Sequence, residues 1–211
     1  MSAMVIDVLQ PNDDAGFAQL FDIYRDAIDP SEQKAEAALR AMLGRETQLL
    51  LVAREGGAVI AFAILWLPAD ADIWSLEYIA VAPSHRGSGL GAEMFRASVA
   101  ATARTFGIIE VEAPTGELQR RRIAFYGRLG CRRLGAIDYQ LPLRTNGEPP
   151  PMWLLIHGGE AVADVARRGV SDWLSRMYAE IYAEAPDDPR IAQMLADDSE
   201  RIRLTALPST P

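Results

Sequence analysis

Arg86-Gly87-Ser88-Gly89-Leu90-Gly91 stands between an apolar stretch, Trp74 to Val81, and a segment with helical spacing. Its three glycines let the main chain come close to a bulky anion. The helix that follows aims its unpaired N–H groups and the positive end of its dipole at the same place. The turn is therefore built to hold phosphate, and the residues around it decide which phosphate-bearing molecule. Gly87 to Ala92 also satisfies the dinucleotide pattern G-x-G-x-x-G/A, with Glu110 or Glu112 about 20 residues on, where a ribose-binding acid is wanted. That fold needs repeated parallel strand–helix units on both sides of the turn, and a tight turn after the strand. Here Pro83-Ser84-His85-Arg86 intervenes between Ala82 and the first glycine, and the upstream pattern reads as a hairpin. A P-loop is excluded, because no Lys-Ser or Lys-Thr follows the glycines.

Upstream, Val5 to Leu9 predicts a strand, and Asp13 or Asp14 can cap a helix that spaces Phe17, Leu20, Phe21 and Tyr24 on one face. A second short helix is expected after Pro30. Gln48 to Arg54 and Ala58 to Leu67 read as two strands joined by Glu55-Gly56-Gly57, so the sheet starts antiparallel. Downstream of the turn, Ala92 to Phe106 continues as a helix that Gly107 ends, Ile108 to Ala113 is a strand, and Gly116 to Leu129 is a helix closed by Gly130. Arg133 to Leu143 and Met152 to His157 form a final pair joined by the Pro149-Pro150-Pro151 loop. From about Gly158 the pattern reads as helix only, with Val170, Trp173, Leu174, Met177, Tyr178, Ile181 and Tyr182 in a wide apolar stripe. That stripe must be buried on the chain's own core, at a dimer contact, or over a substrate.

Composition bounds the class. With 211 residues, 49% hydrophobic and 24% charged, the chain can bury a sizeable core. A net charge of -8 argues against a general nucleic-acid-binding face. No apolar run approaches the ~20 residues of a membrane span, and Met1-Ser2-Ala3-Met4 lacks the features of a signal peptide, so the cytoplasm is the expected location. The single cysteine, Cys131, forms no internal disulfide and offers no metal spacing; it reads as a small buried hydrophobe. His85 and His157 have no neighbours suggesting a triad or a metal site and are assigned to structure or surface.

The segment from Leu76 to Gly91 resembles the GCN5-related N-acetyltransferases (GNAT), whose phosphate signature is Q/R-x-x-G-x-G/A after a strand ending in apolar residues. A second stretch, Ile123-Ala124-Phe125-Tyr126-Gly127-Arg128-Leu129-Gly130-Cys131, is similar to that family's F-Y-x-x-x-G-F segment. Gln119 and Arg122 replace the asparagine and alanine often found upstream of the Phe-Tyr pair, and Cys131 stands where an aromatic is usual. The resemblance implies an α/β (α+β) fold with a mixed, mostly antiparallel sheet of about seven strands flanked by helices. It further implies an acyl-CoA-binding catalytic domain over 1–158, with 159–211 as a C-terminal helical extension packing on the core or at a dimer interface.

What the resemblance implies chemically is transfer of an acetyl group from acetyl-CoA, as co-substrate and without a metal, to a primary amine of a small molecule by direct attack. Cofactor contacts fall on Ile79, Ala80 and Val81, whose strand end would pair with pantetheine amides, and on Arg86, Gly87, Ser88, Gly89, Leu90, Gly91 and Ala92, whose N–H groups would take the pyrophosphate. A backbone N–H near Val81 would meet the thioester oxygen as charge develops. Tyr126 matches the family's usual acid for the departing thiolate. The base is expected at Glu77, which by strict alternation shares a face with Ile79 and Val81 unless a bulge intervenes. Glu110 and Glu112, two acids on one face of a largely buried strand, either pocket a cationic amine or pair with Arg120-Arg121-Arg122. Two alternatives stay open: a non-catalytic acyl-CoA-binding or regulatory module on the same fold, and transfer to a protein or peptide amine.

Overall fold

The computed structural model describes residues 4–135, 137–142, 150–159, 162–197 and 199–210. The chain divides into two compact units, Met1–Arg104 and Thr105–Pro211. Each pairs a largely antiparallel sheet with helices, a mixed α/β architecture.

The first unit begins with β1 (Val5–Val8), α1 (Asp14–Ala27) and α2 (Glu36–Arg40). Strands β2 (Gln48–Glu55), β3 (Ala58–Trp66) and β4 (Ile73–Val81) follow, then a 3₁₀ turn (Pro83–His85) and α3 (Leu90–Thr102). The four strands lie in the order β1-β2-β3-β4, each antiparallel to its neighbour. Gly56 and Gly57 both have positive φ, which a two-residue hairpin turn requires for its twist to match the strands. Strand β3 is buried along both faces. On one, Phe62 and Ile64 pack with Phe17, Leu20, Ile23 and Tyr24 of α1; on the other, α3 lies against β3 and β4, with Phe95 6.0 Å from Trp74. Of the two candidate caps for α1, Asp13 is the one used: it accepts from Gly16 N–H at 2.8 Å and from Arg54 at 2.5 Å. Asp13→Ala is expected to lower unfolding stability by about 1 kcal/mol at neutral pH in urea titrations. The hydrogen bond from Gly16 holds the Asp13 carboxyl below its ordinary pKa. Its contribution is thus present above that ordinary value and lost as pH falls through the lowered one, and the difference between variant and wild type should shrink in acid.

The second unit holds β5 (Phe106–Glu112), α4 (Glu117–Arg128), β6 (Arg132–Leu134), β7 (Met152–His157), β8 (Asp164–Ala166), α5 (Arg167–Tyr182), α6 (Pro189–Met194) and β9 (Arg201–Ala206). Its strands run β5-β7-β6-β9-β8, all pairs antiparallel. The described residues thus contain nine strands in all, where about seven are expected. The extra two, β8 and β9, lie in the tail expected to be helical. In β9, Ile202 and Leu204 are buried between exposed Arg201, Arg203 and Thr205, a period of two over too short a window to outweigh the helical stripe nearby. That stripe is buried within its own unit: Val170, Leu174, Met177 and Tyr178 are covered, and Trp173 lies 5.4 Å from Phe106.

Two boundaries differ from expectation. Helix α3 ends at Thr102, not near Gly107, because Ala103 turns left-handed (φ 49) and Arg104 bonds back to the Ala71 carbonyl. Gly107 then falls inside β5, opposite His157. Strand β6 stops at Leu134, and beyond it only Tyr139 bridges to Met152 among the described residues. The rest of the expected connection, 143–149 with Pro149, lies outside them.

Candidate active site

The hydrogen-bonding groups of β4 alternate between its two edges toward the strand end. Ala82 N–H donates to Ile60 O at 2.8 Å, so Ala82, Ala80 and Tyr78 bond toward β3. Antiparallel alternation then turns the N–H and C=O groups of Ile79 and Val81 to the opposite edge. The Val81 carbonyl accepts Arg86 Nε at 3.1 Å, and Arg86 Nη2 meets Asp26 Oδ2 of α1 at 2.5 Å. Arg86 thus ties the turn to the strand end and to the first helix, and its charge is already paired.

The anion-binding capacity of the turn therefore rests on main-chain amides. Ser88 Oγ donates to His85 O at 2.7 Å, and Gly87 and Gly89 take φ of 80 and 91. Gly89 caps α3 from this left-handed conformation. Its Cβ position is open, so the need for glycine is conformational rather than steric. Among the described residues the N–H groups of Gly87, Ser88, Gly89 and Gly91 donate to nothing. Gly87, Ser88 and Gly89 are exposed, which leaves a cluster of donors facing solvent ahead of a helix N-terminus. His85 contributes bracing only, with Nδ1 on Ser84 Oγ at 2.8 Å and Nε2 on Glu55 at 3.3 Å.

Strict alternation fails at Glu77. Ile64 pairs with Tyr78 and Leu65 with Leu76, so β4 carries one extra residue here, and that residue is Glu77. The bulge switches the faces of β4: Trp74 points toward α3, whereas Tyr78 and Ala80 join the α1 side. Glu77 goes with Tyr78, not with Ile79 and Val81. Its side chain is 4% exposed, with Oε2 3.8 Å from Lys34 Nζ and Oε1 without a hydrogen-bond partner. Burial pushes the Glu77 carboxyl above its ordinary pKa, against the opposing pull of Lys34, Gln48 and Arg45. A buried carboxylate with one unused oxygen and a raised pKa is a stronger proton acceptor than an ordinary exposed glutamate. Lys34 and Gln48 were not among the residues expected at the site. Gln48 was accessible through alternation, since it shares the α1-facing side of β2 with Leu50 and Val52; Lys34 carries a compositional signal, being the chain's one lysine.

In the second unit, Tyr126 of α4 is 5% exposed and lies against the Phe125 ring at 5.1 Å. Burial pushes its phenol well up, so it stays protonated across the neutral range. Cys131 is buried and its thiol is pushed up to about 12, which leaves it inert. Glu110 accepts from Tyr139 and from Tyr182 of α5, the latter at 2.6 Å, while Glu112 accepts from Gln119 Nε2 at 2.7 Å. Arg120, Arg121 and Arg122 are exposed, and the bonds seen on the two acids come from tyrosine and glutamine. No helix of the described residues is long and apolar enough to cross a membrane.

The model of the acetyltransferase (GNAT) family matches residues 17–131. Among solved structures, a protein of Bacteroides thetaiotaomicron assigned to that family superposes with a TM-score of 0.70, at 20% identity over 84% of this chain and 98% of that one. The ribosomal-protein-S18-alanine N-acetyltransferase of Escherichia coli gives 0.55 at 20% identity, covering 76% and 99%. An aminoglycoside 6'-N-acetyltransferase complexed with coenzyme A gives 0.56 at 18% identity, covering 72% and 96%. These likenesses show the fold. An uncharacterized protein of Dictyostelium discoideum is 24% identical over 151 residues, 71% of this chain, which spans 33% of that relative's length.

Proposed function

The chain belongs to the acetyltransferase (GNAT) family, and from that premise we propose that it is an acetyl-CoA-dependent N-acetyltransferase acting on a primary amine of a small molecule in the cytoplasm. The observation that carries this reading is the cluster of unbonded N–H groups of Gly87, Ser88, Gly89 and Gly91 at the start of α3, where Leu90 N–H is taken by Ser88 Oγ and Ala92 N–H by Gly89 O. These amides would hold the diphosphate of the coenzyme, and the outward edge of Ile79 to Val81 would pair with its pantetheine arm. With Arg86 already paired, coenzyme affinity rests on dipoles rather than a cation, and its salt dependence should be shallow.

In this reading Glu77 takes a proton from the acceptor ammonium, directly or through a water, and the freed amine attacks the thioester carbon. The Val81 N–H is offered to the developing oxyanion. Tyr126 supplies the proton to the leaving thiolate. Its raised pKa makes it a reluctant donor but one that is fully protonated when needed. Glu110 and Glu112 are proposed to favour a cationic acceptor, their orientation set by Tyr139, Tyr182 and Gln119.

Thermal-shift measurements with acetyl-CoA, longer acyl-CoAs and NAD, followed by thiol release across a panel of primary amines, test the proposal. Stabilisation by acetyl-CoA with thiol release is expected. Stabilisation without release from any amine would favour a non-catalytic binding module, and stabilisation by NAD alone would restore the dinucleotide reading. Tyr126→Phe is expected to lower turnover more than about tenfold with coenzyme affinity unchanged in calorimetry. Unchanged turnover would remove Tyr126 from the mechanism.

A further inference from the structure

The chain has 21 basic residues, and twenty of them are arginine; Lys34 is the one lysine. It is also the cation set beside the buried carboxylate of Glu77. A permanent ion pair in that place would be served better by arginine, which stays charged and grips a carboxylate through two parallel bonds. Lysine differs in being able to lose its proton and become a nucleophile. The pair is loose as well: 3.8 Å is beyond a charge-assisted hydrogen bond, and Lys34 Nζ makes no other bond among the described residues. Its backbone is nevertheless anchored, since Lys34 N–H donates to Tyr24 Oη of α1 at 2.7 Å. The side chain is 24% exposed, so the amine faces Glu77 on one side and solvent on the other.

We propose that Lys34 is a self-acetylation site, its ε-amine accepting an acetyl group from acetyl-CoA with Glu77 of the same chain as the base. The proposal rests on the acetyltransferase reading above. Glu77 takes a proton from the Lys34 ammonium on a carboxylate oxygen. The neutral Nζ attacks the thioester carbon, the N–C bond forms and the C–S bond breaks. Coenzyme A leaves as thiolate and takes up a proton as the acylated nitrogen sheds its second one, so the products are N-acetyl-lysine and free thiol, with the first proton on Glu77 returned to solvent. Glu77 lies four residues ahead of the Val81 edge assigned to the thioester end of the coenzyme, and the part-exposed Lys34 side chain, carried by the segment between α1 and α2, must swing from the carboxylate toward that edge to attack. Modification exchanges an ammonium for a neutral amide beside the carboxylate and leaves Arg45 as the cation near it.

Incubation of the full chain with acetyl-CoA, followed by peptide mass mapping over time, tests this directly, since no other lysine can contribute. One acetyl group is expected on Lys34, at a rate independent of protein concentration and at least about tenfold above that of the same lysine in urea-unfolded chain. Glu77→Gln should slow it by a similar factor, and Lys34→Arg should take no acetyl in that segment. The proposal is overturned if Lys34 stays unmodified, if it reacts no faster than in unfolded chain, or if folded Glu77→Gln reacts at the wild-type rate. Calorimetry with coenzyme A on the same sample separates the two readings. Binding without modification overturns self-acetylation alone; absence of binding overturns the acetyltransferase reading with it.

Discussion

Glu77→Gln is expected to lower turnover about a thousandfold while leaving coenzyme A affinity within a few-fold of wild type. The amide keeps the volume and polarity of the carboxylate but cannot accept the ammonium proton. The groups facing this side chain are Lys34 from the segment between α1 and α2, Arg45 ahead of β2, Gln48 at its start, Tyr24 of α1, and neighbouring Tyr78, with Glu32 close to the two tyrosines. Burial outweighs the cations, so the carboxyl titrates above its ordinary range. A base works only when ionised, so wild-type kcat should fall with acidity along a limb at that raised pKa, and the limb should be missing in the variant. Stability supplies the control. A carboxyl whose folded-state pKa is raised contributes stability below its unfolded pKa and loses it as pH rises through the folded one. Glutamine is therefore expected to raise Tm relative to wild type at alkaline pH, which separates a chemical defect from a misfolded protein. A variant retaining more than a third of wild-type turnover would require another base.

Gly89→Val is expected to weaken coenzyme A binding about a hundredfold, read by calorimetry. At φ 91 a side chain meets left-handed strain of about 1–2 kcal/mol per residue, more for a β-branched one. Relief of that strain reorients the Gly89 N–H group, and a lost charge-assisted hydrogen bond adds about 1.5–3 kcal/mol. Together these are enough for the roughly 2.8 kcal/mol of a hundredfold change in affinity. Because nothing lies within 4 Å of the Cβ position, the effect would come from the backbone and not from a clash. Gly89→Ala should consequently show a smaller loss in the same direction. Retention of affinity in the valine variant would mean that the turn does not hold the diphosphate.

Most of the architecture was legible along the chain. The hairpin at Gly56-Gly57, the apolar strand ahead of Arg86, the glycine turn and the helices after it are each written within a few neighbouring residues, as turn chemistry or as a period of 2 or 3.6. Signals were lost where a local pattern competed with a distant pairing. The alternation of Ile202 and Leu204 was overshadowed by the stripe of α5, and the end of α3 was set by Ala103 and by the reach of Arg104 to Ala71.

The amino-acid sequence by itself determined the glycine turn and the family, because backbone freedom at Gly87 and Gly89 and the polarity period of the flanking elements are local properties. Only the tertiary structure decided the surroundings of Glu77. Whether β4 carries a bulge depends on its register against β3, and that register assigns Glu77 to the face of Lys34 and Gln48 rather than that of Ile79 and Val81. Register is settled by side chains packing across strands, so a one-residue slip that no local window records moves a carboxylate from one face of the sheet to the other.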